Sequence, residues 1–207
     1  MASPSAPPGL ILAGGKSSRM GSNKALLALG SDTVLGHVLR RLKPQVLSVA
    51  VNASTPLPGF EGLRYLADTT PGQLGPLAGI LTGMRHFGET EPEARHFLTV
   101  PCDSPLLPLH LTERLFDTRP DARTIVVASS LGRNHPVFAL WPVALADDLE
   151  AWLTTDENRR INGFLSRHPT VTVDFAPVET AHGTLDPFLN INTPEDLARA
   201  NLFSEVL

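Results

Sequence analysis

Two rhythms of apolar and polar residues run along the chain. Gly9-Leu10-Ile11-Leu12-Ala13 is a short continuous apolar run that stops at Gly14-Gly15. Such a run predicts a strand buried on both faces. Val34, Leu35, Val38, Leu39 and Leu42 then recur at helical spacing, with Asp32 or Thr33 as the cap and Pro44 as the stop. Strands are predicted over Val46–Val51, closing at Asn52, and over Arg64–Ala67, ending at Asp68. Leu77, Ile80, Leu81 and Met84 mark a second helix. His96–Val100 reads as a strand leading into Pro101-Cys102-Asp103, and Thr124–Ala128 and Val137–Trp141 as two more. Leu145, Leu149, Trp152 and Leu153 mark a further amphipathic helix. Phe188–Ile191 reads as a last strand, before a helix that Thr193-Pro194-Glu195-Asp196 opens with a cap, an early proline and early acids.

Strands alternating with helices imply an α/β fold with a mostly parallel sheet covered on both faces. Ligands of such sheets bind at the carboxyl ends of the strands. Gly14-Gly15, Asn52, Asp68 and Asp103 all fall at that edge. At 207 residues and 42% hydrophobic composition, one domain with a sizeable core is expected over 9–207, preceded by a flexible Ser/Pro tail over 1–8. No apolar run approaches the roughly 20 residues of a membrane span, so no membrane partner is expected. The net charge of −4 argues against a nucleic-acid partner. Cys102 is the single cysteine, which excludes an intramolecular disulfide or a cysteine-cluster zinc site and suits a cytoplasmic protein.

The chemistry concentrates in Leu12-Ala13-Gly14-Gly15-Lys16-Ser17-Ser18-Arg19-Met20-Gly21-Ser22-Asn23-Lys24. Glycines and serines let backbone N–H groups approach a ligand closely, and Lys16, Arg19 and Lys24 add positive charge. A polyphosphate is the natural guest of such a loop. Neither familiar phosphate loop fits: the P-loop spacing would need a glycine at Leu10, and G-x-G-x-x-G is absent from the segment. Asp103 suits a magnesium ligand; a turn cap between Pro101 and Pro105 is the alternative, the weaker one beside the glycine loop. Asn52 and Asp68 have the same turn-forming alternative.

The segment LAGGKSSRMGSNKALL resembles the signature of the small nucleotidyltransferases, and among them the molybdenum cofactor guanylyltransferase family. Val51-Asn52-Ala53, Gly75-Pro76-Leu77-Ala78-Gly79, Pro101-Cys102-Asp103-Ser104-Pro105, His135-Pro136, Arg159-Arg160 and Asn190-Ile191-Asn192-Thr193-Pro194-Glu195 follow in the same order. The resemblance implies a Rossmann-like three-layer sandwich that transfers GMP from GTP to the phosphate of molybdopterin, with Mg²⁺ as cofactor. It implies nucleotide contacts from Leu12, Ala13, Gly14, Gly15, Lys24, Asn52, Asp68 and Asp103. The catalytic set is Lys24, Arg19 and Asp103, with Asp103 on the metal. Asn190, Asn192, His135, Arg159 and Arg160 would face the acceptor. His135 as an exposed loop residue, and Arg159-Arg160 as a solvated face, remain alternatives. A monomer is expected, delivering its product to molybdoenzyme chaperones and cofactor-insertion proteins. A cytidylyltransferase, a sugar-phosphate nucleotidyltransferase and a non-catalytic cofactor-delivery protein are the competing readings.

Overall fold

The computed structural model describes residues 6–14, 23–69, 75–155 and 160–204. Among these described residues, eleven strands run in chain order: β1 (Gly9–Leu12), β2 (Ala28–Leu29), β3 (Asp32–Thr33), β4 (Val49–Asn52), β5 (Arg64–Leu66), β6 (His96–Pro101), β7 (Ile125–Ser130), β8 (Arg133–Pro142), β9 (Thr170–Asp174), β10 (Val178–Thr180) and β11 (Gly183–Leu185). Six α-helices accompany them among the same residues: α1 (Val34–Leu42), α2 (Pro76–Thr90), α3 (Leu111–Thr118), α4 (Ala146–Thr155), α5 (Ile161–Leu165) and α6 (Pro194–Ser204). Seven strands form one sheet in the order β5-β4-β1-β6-β8-β7-β9. All run parallel except β8, which is antiparallel to both neighbours.

Alternation along the strands sorts the core into two layers. Leu10 and Leu12 of β1 pack with α2, α4 and α5, while Ile11 faces α1 and α3. This is the expected sheet covered on both faces. A smaller cluster, including Leu29, Val34, Ile191 and Phe203, ties α6 to the β2–β3 hairpin. Among the described residues no helix is long and apolar enough to cross a membrane.

Several local expectations hold. Thr33 caps α1, its side chain accepting from the Gly36 N–H at 3.1 Å. Thr193 caps α6 by accepting from the Asp196 N–H at 3.1 Å, and Asp196 in return accepts from the N–H groups of Asn192 and Thr193 at 2.9 Å each. Elsewhere the structure departs from the reading. Phe188–Ile191 is not a strand: the Asp186 carboxylate accepts from the Phe188 N–H at 3.0 Å, its carbonyl accepts from the Leu189 N–H at 3.1 Å, and the chain turns. Pro7 and Pro8 are not loose tail. Both are buried, and their carbonyls accept from Leu47 and Leu98 N–H groups at 3.0 and 2.8 Å. The strand expected from Val137 begins at Arg133, because Leu131 (φ 49°) and Gly132 (φ 73°) make a tight two-residue hairpin turn. Pro136 sits where the β7–β8 register shifts, a position that needs no N–H donor.

Candidate active site

The carboxyl edge of the sheet carries the polar groups. The last ladder bonds of β1 fix its end. The Ala13 N–H donates to the Asn52 carbonyl at 3.1 Å, and the Cys102 N–H donates to the Leu12 carbonyl at 3.0 Å. Gly14 emerges exposed. Gly15, Lys16, Arg19 and Arg159 lie outside the described residues.

Asn52, buried at the end of β4, draws β5 and α2 together. Its amide N–H groups donate to the Leu66 carbonyl at 3.1 Å and to Asp68 Oδ1 at 2.8 Å. Its Oδ1 is seated against two glycines. A Cβ on Gly14 would stand 3.1 Å from it, and a Cβ on Gly79 would collide with it and with Leu12. Both amide donors of Asn52 are therefore used inside the protein. The outward-facing group of this pair is the exposed Asp68 carboxylate. The two residues expected to bind the nucleoside are thus in direct contact with each other.

Across β1, a second polar group forms around Lys24. Asn23 caps the short 3-10 turn Lys24–Leu26, accepting from the Ala25 N–H at 3.1 Å. Lys24 Nζ donates to Asn192 Oδ1 at 2.6 Å and stands 3.8 Å from Asp103 Oδ2. These side chains are only 14% (Lys24) and 20% (Asp103) exposed. Burial pushes the Asp103 carboxyl above its ordinary range, and the Lys24 charge and a backbone N–H oppose it. Such a carboxylate gains from a further positive charge. Asn192 is delivered by the α6 capping box, whose carboxylate fixes the Asn192 backbone. Beside it, the Ile191 N–H donates to the Asp103 carbonyl at 2.8 Å, and the Ser104 hydroxyl donates to Asn190 Oδ1.

Cys102 takes no part as a nucleophile, since burial pushes its thiol up to about 12. His135 lies at the same edge, half-buried near the start of β8. Its Nε2 is 2.8 Å from Ser130 Oγ, and its ring is 4.7 Å from Phe188. It is neither exposed nor in a loop. Arg160 stands exposed at the N-cap of α5, and no contact among the described residues joins it to the Lys24–Asp103 pair. Asn190 and Asn192 do reach the site, but from a loop.

Ser130 and Asp186 escaped the sequence reading, and Ser104 entered it only as a member of the Pro101–Pro105 motif, without a role. Asp186-Pro187 carries a turn signature that pointed to the bend after β11. The two serines have no local signal.

Known proteins resemble this chain closely. Residues 9–171 match the family model described as the MobA-like NTP transferase domain. A molybdenum cofactor guanylyltransferase of Rhizobium rhizogenes is 51% identical over 201 residues, covering 97% of this chain and 93% of the relative. One from Rhizobium meliloti is 53% identical over 197 residues, covering 94% and 90%. Among solved structures, molybdopterin-guanine dinucleotide biosynthesis protein A from Archaeoglobus fulgidus superposes with a TM-score of 0.76 at 21% identity, covering 97% of this chain and all of that one (100%).

Proposed function

The chain belongs to the MobA-like NTP transferase family of nucleotidyltransferases, and from that premise we propose that it transfers GMP from GTP to the phosphate of molybdopterin, releasing pyrophosphate. The observation that carries the reading is the Lys24–Asp103–Asn192 group at the carboxyl edge, beside the glycine end of β1. In the reaction an acceptor phosphate oxygen forms a bond to the α-phosphorus of GTP. The bond from that phosphorus to the bridging oxygen breaks, and the electron pair leaves with pyrophosphate. The attacking oxygen is already an anion, so no general base is needed. Catalysis rests on in-line positioning and on neutralising charge.

Lys24 fits this task physically. An ammonium has three donors, one of which points to Asn192, and it is held in a half-closed site where its charge is weakly screened. Asp103 would hold Mg²⁺. Among the described residues no group of three or more His, Cys, Asp or Glu side chains could cage a metal. The Asp103 carboxylate would be completed by phosphate oxygens and water, as Mg²⁺ commonly accepts. When bound, Mg²⁺ supplies positive charge to the triphosphate. Leu12, Ala13 and Gly14 offer backbone groups for the nucleotide, with the Asn52–Asp68 pair beyond them. Asn190 and Asn192 lie on the acceptor side. A cytoplasmic monomer that hands its product to insertion proteins completes the proposal.

The test is competition between GTP, CTP and ATP for transfer onto molybdopterin carrying molybdenum, with Mg²⁺ present. A pocket that matches guanine leaves polar groups unpaired with cytosine, so GMP should be favoured by about tenfold or more. Equal or greater incorporation of CMP would overturn the guanylyl reading and leave nucleotidyl transfer standing.

A further inference from the structure

One short segment links both ends of the carboxyl edge. From Asp186 to Asn192 the chain touches Ser130, His135, Ser104, Asp103 and Lys24 in turn. Asp186 Oδ1 accepts from Ser130 Oγ at 2.7 Å, and the Phe188 ring stands 4.7 Å from His135. Asn190 meets Ser104, the Ile191 N–H meets the Asp103 carbonyl, and Asn192 meets Lys24. Six residue steps span at most about 20 Å, so one short segment borders both His135 and Lys24 at this edge.

The hydrogen bonds around His135 define which ring nitrogen carries the proton. Ser130 Oγ is 2.7 Å from Asp186 Oδ1 and 2.8 Å from His135 Nε2. A carboxylate only accepts, so the single hydroxyl proton of Ser130 goes to Asp186. Ser130 Oγ must then accept, and His135 Nε2 must donate. The neutral ring is left with a bare Nδ1. Burial holds His135 below its ordinary value, while Asp186 opposes and Arg133 adds to the shift, so the ring is neutral near pH 7. Among the described residues no hydrogen bond engages Nδ1, and Nδ1 is not among the buried side-chain atoms lacking a partner, as His96 Nε2 is.

We propose that Asp186 and Ser130 lock His135 as the Nε2–H tautomer so that its Nδ1 accepts a hydrogen bond from an N–H group of the acceptor's pterin ring. This rests on the reading of molybdopterin as acceptor. His135 is then a specificity residue for the ring end of the acceptor. Ser130 and Asp186 are positioning residues that act through it. The phosphate end is left to Lys24. A tautomer lock of this kind rejects a ring that lacks the donor, because a bare acceptor would stay unpaired.

The experiment measures equilibrium binding of molybdopterin and, separately, of GTP, for the parent, His135→Phe, His135→Asn and Ser130→Ala. Melting temperatures and the imidazole ¹⁵N spectrum are recorded alongside. The parent spectrum should show the Nε2–H tautomer, and Ser130→Ala should lose that preference. His135→Phe should weaken molybdopterin about tenfold and leave GTP unchanged. His135→Asn keeps an amide near the Nδ1 position and should recover most of the loss. An Nδ1–H tautomer in the parent would overturn the proposal. So would unchanged molybdopterin binding by a folded His135→Phe. Should His135→Phe not fold, the Asn variant and the spectrum still decide. A parent that binds GTP but not molybdopterin would sink the acceptor assignment, and the tautomer result would then stand apart from it.

Discussion

His135 and His96 belong to one antiparallel strand pair and lie at its opposite ends. His96 opens β6 at the amino edge, opposite Pro142, while His135 lies near the start of β8 at the carboxyl edge. His96 is 3% exposed, and its Nε2 is buried without a partner. Burial, aided by the Arg119 charge, drives its pKa down to about 4. His135 is half-buried and hydrogen-bonded, and it faces Asp186. The same side chain is buried with an unpartnered nitrogen at one end and, at the other, is the hydrogen-bonded group proposed to meet the acceptor. What differs is the supply of partners. At the carboxyl edge polar groups satisfy one another, as in Asn52–Asp68, Lys24–Asn192 and Ser130–Asp186. The amino edge has an opening of its own, a cleft of about 760 Å³ lined in part by His96, Arg119 and Asp121. There Asp121 is occupied within its own turn, accepting from the N–H groups of Arg123 and Thr124 and from the Thr124 hydroxyl.

The comparison breaks most visibly at Lys24 and Asp103. Lys24→Ala should cost on the order of 3 kcal/mol in the barrier, a hundredfold or more in turnover, with little change in melting temperature. Asp103→Asn should leave the fold intact and raise the Mg²⁺ requirement. Steady-state kinetics with a metal titration checks both, and parent-like turnover in either variant removes that residue from the site.

The amino edge should answer to pH instead. The folded-state value of about 4 for His96 lies below the ordinary 6.5, so the unfolded chain takes up the proton first as pH falls. The contribution of His96 is complete above pH 6.5 and is lost progressively towards pH 4. Its full size is about 3 kcal/mol. Denaturant titrations across that range should show the slope, and His96→Gln should flatten it without altering turnover near neutrality. An unchanged slope would mean another group governs the decline.

Gly79→Ala joins packing to function. The new Cβ meets the Asn52 amide and Leu12, so the Asn52–Asp68 clasp must shift. A loss of about 1–3 kcal/mol in stability is expected, with weaker GTP binding. Calorimetric melting and GTP titration on one sample measure the two together. Parent-like values would show that α2 yields freely at this point.

The smallest effect belongs to the α6 cap. Thr193→Ala removes one reciprocal bond and should cost about 1 kcal/mol. Because the same box seats Asn192, turnover should fall a fewfold. A stability loss with wholly unchanged kinetics would uncouple the cap from Lys24.

The local sequence determined whatever depends on neighbours along the chain. The Gly9–Leu12 strand, the Thr33 and Thr193 caps and the carboxyl-edge positions of Gly14, Asn52 and Asp103 follow from apolar runs and the residues that punctuate them. Ordered motifs spread over the chain carried the family. Tertiary structure alone decided what depends on residues far apart. The Lys24–Asn192 bond joins positions 168 apart, and no periodicity encodes it. The direction of β8 hangs on a Leu131–Gly132 turn with leucine in the left-handed region, where asparagine or glycine would have announced a hairpin. Phe188–Ile191 has the apolar pattern of a strand, yet Asp186 takes its first N–H and Asp103 its last. The tautomer of His135 is the furthest from local reading. It follows from the hydrogen bond between Ser130 and Asp186, residues 56 apart that only the packed loop brings together.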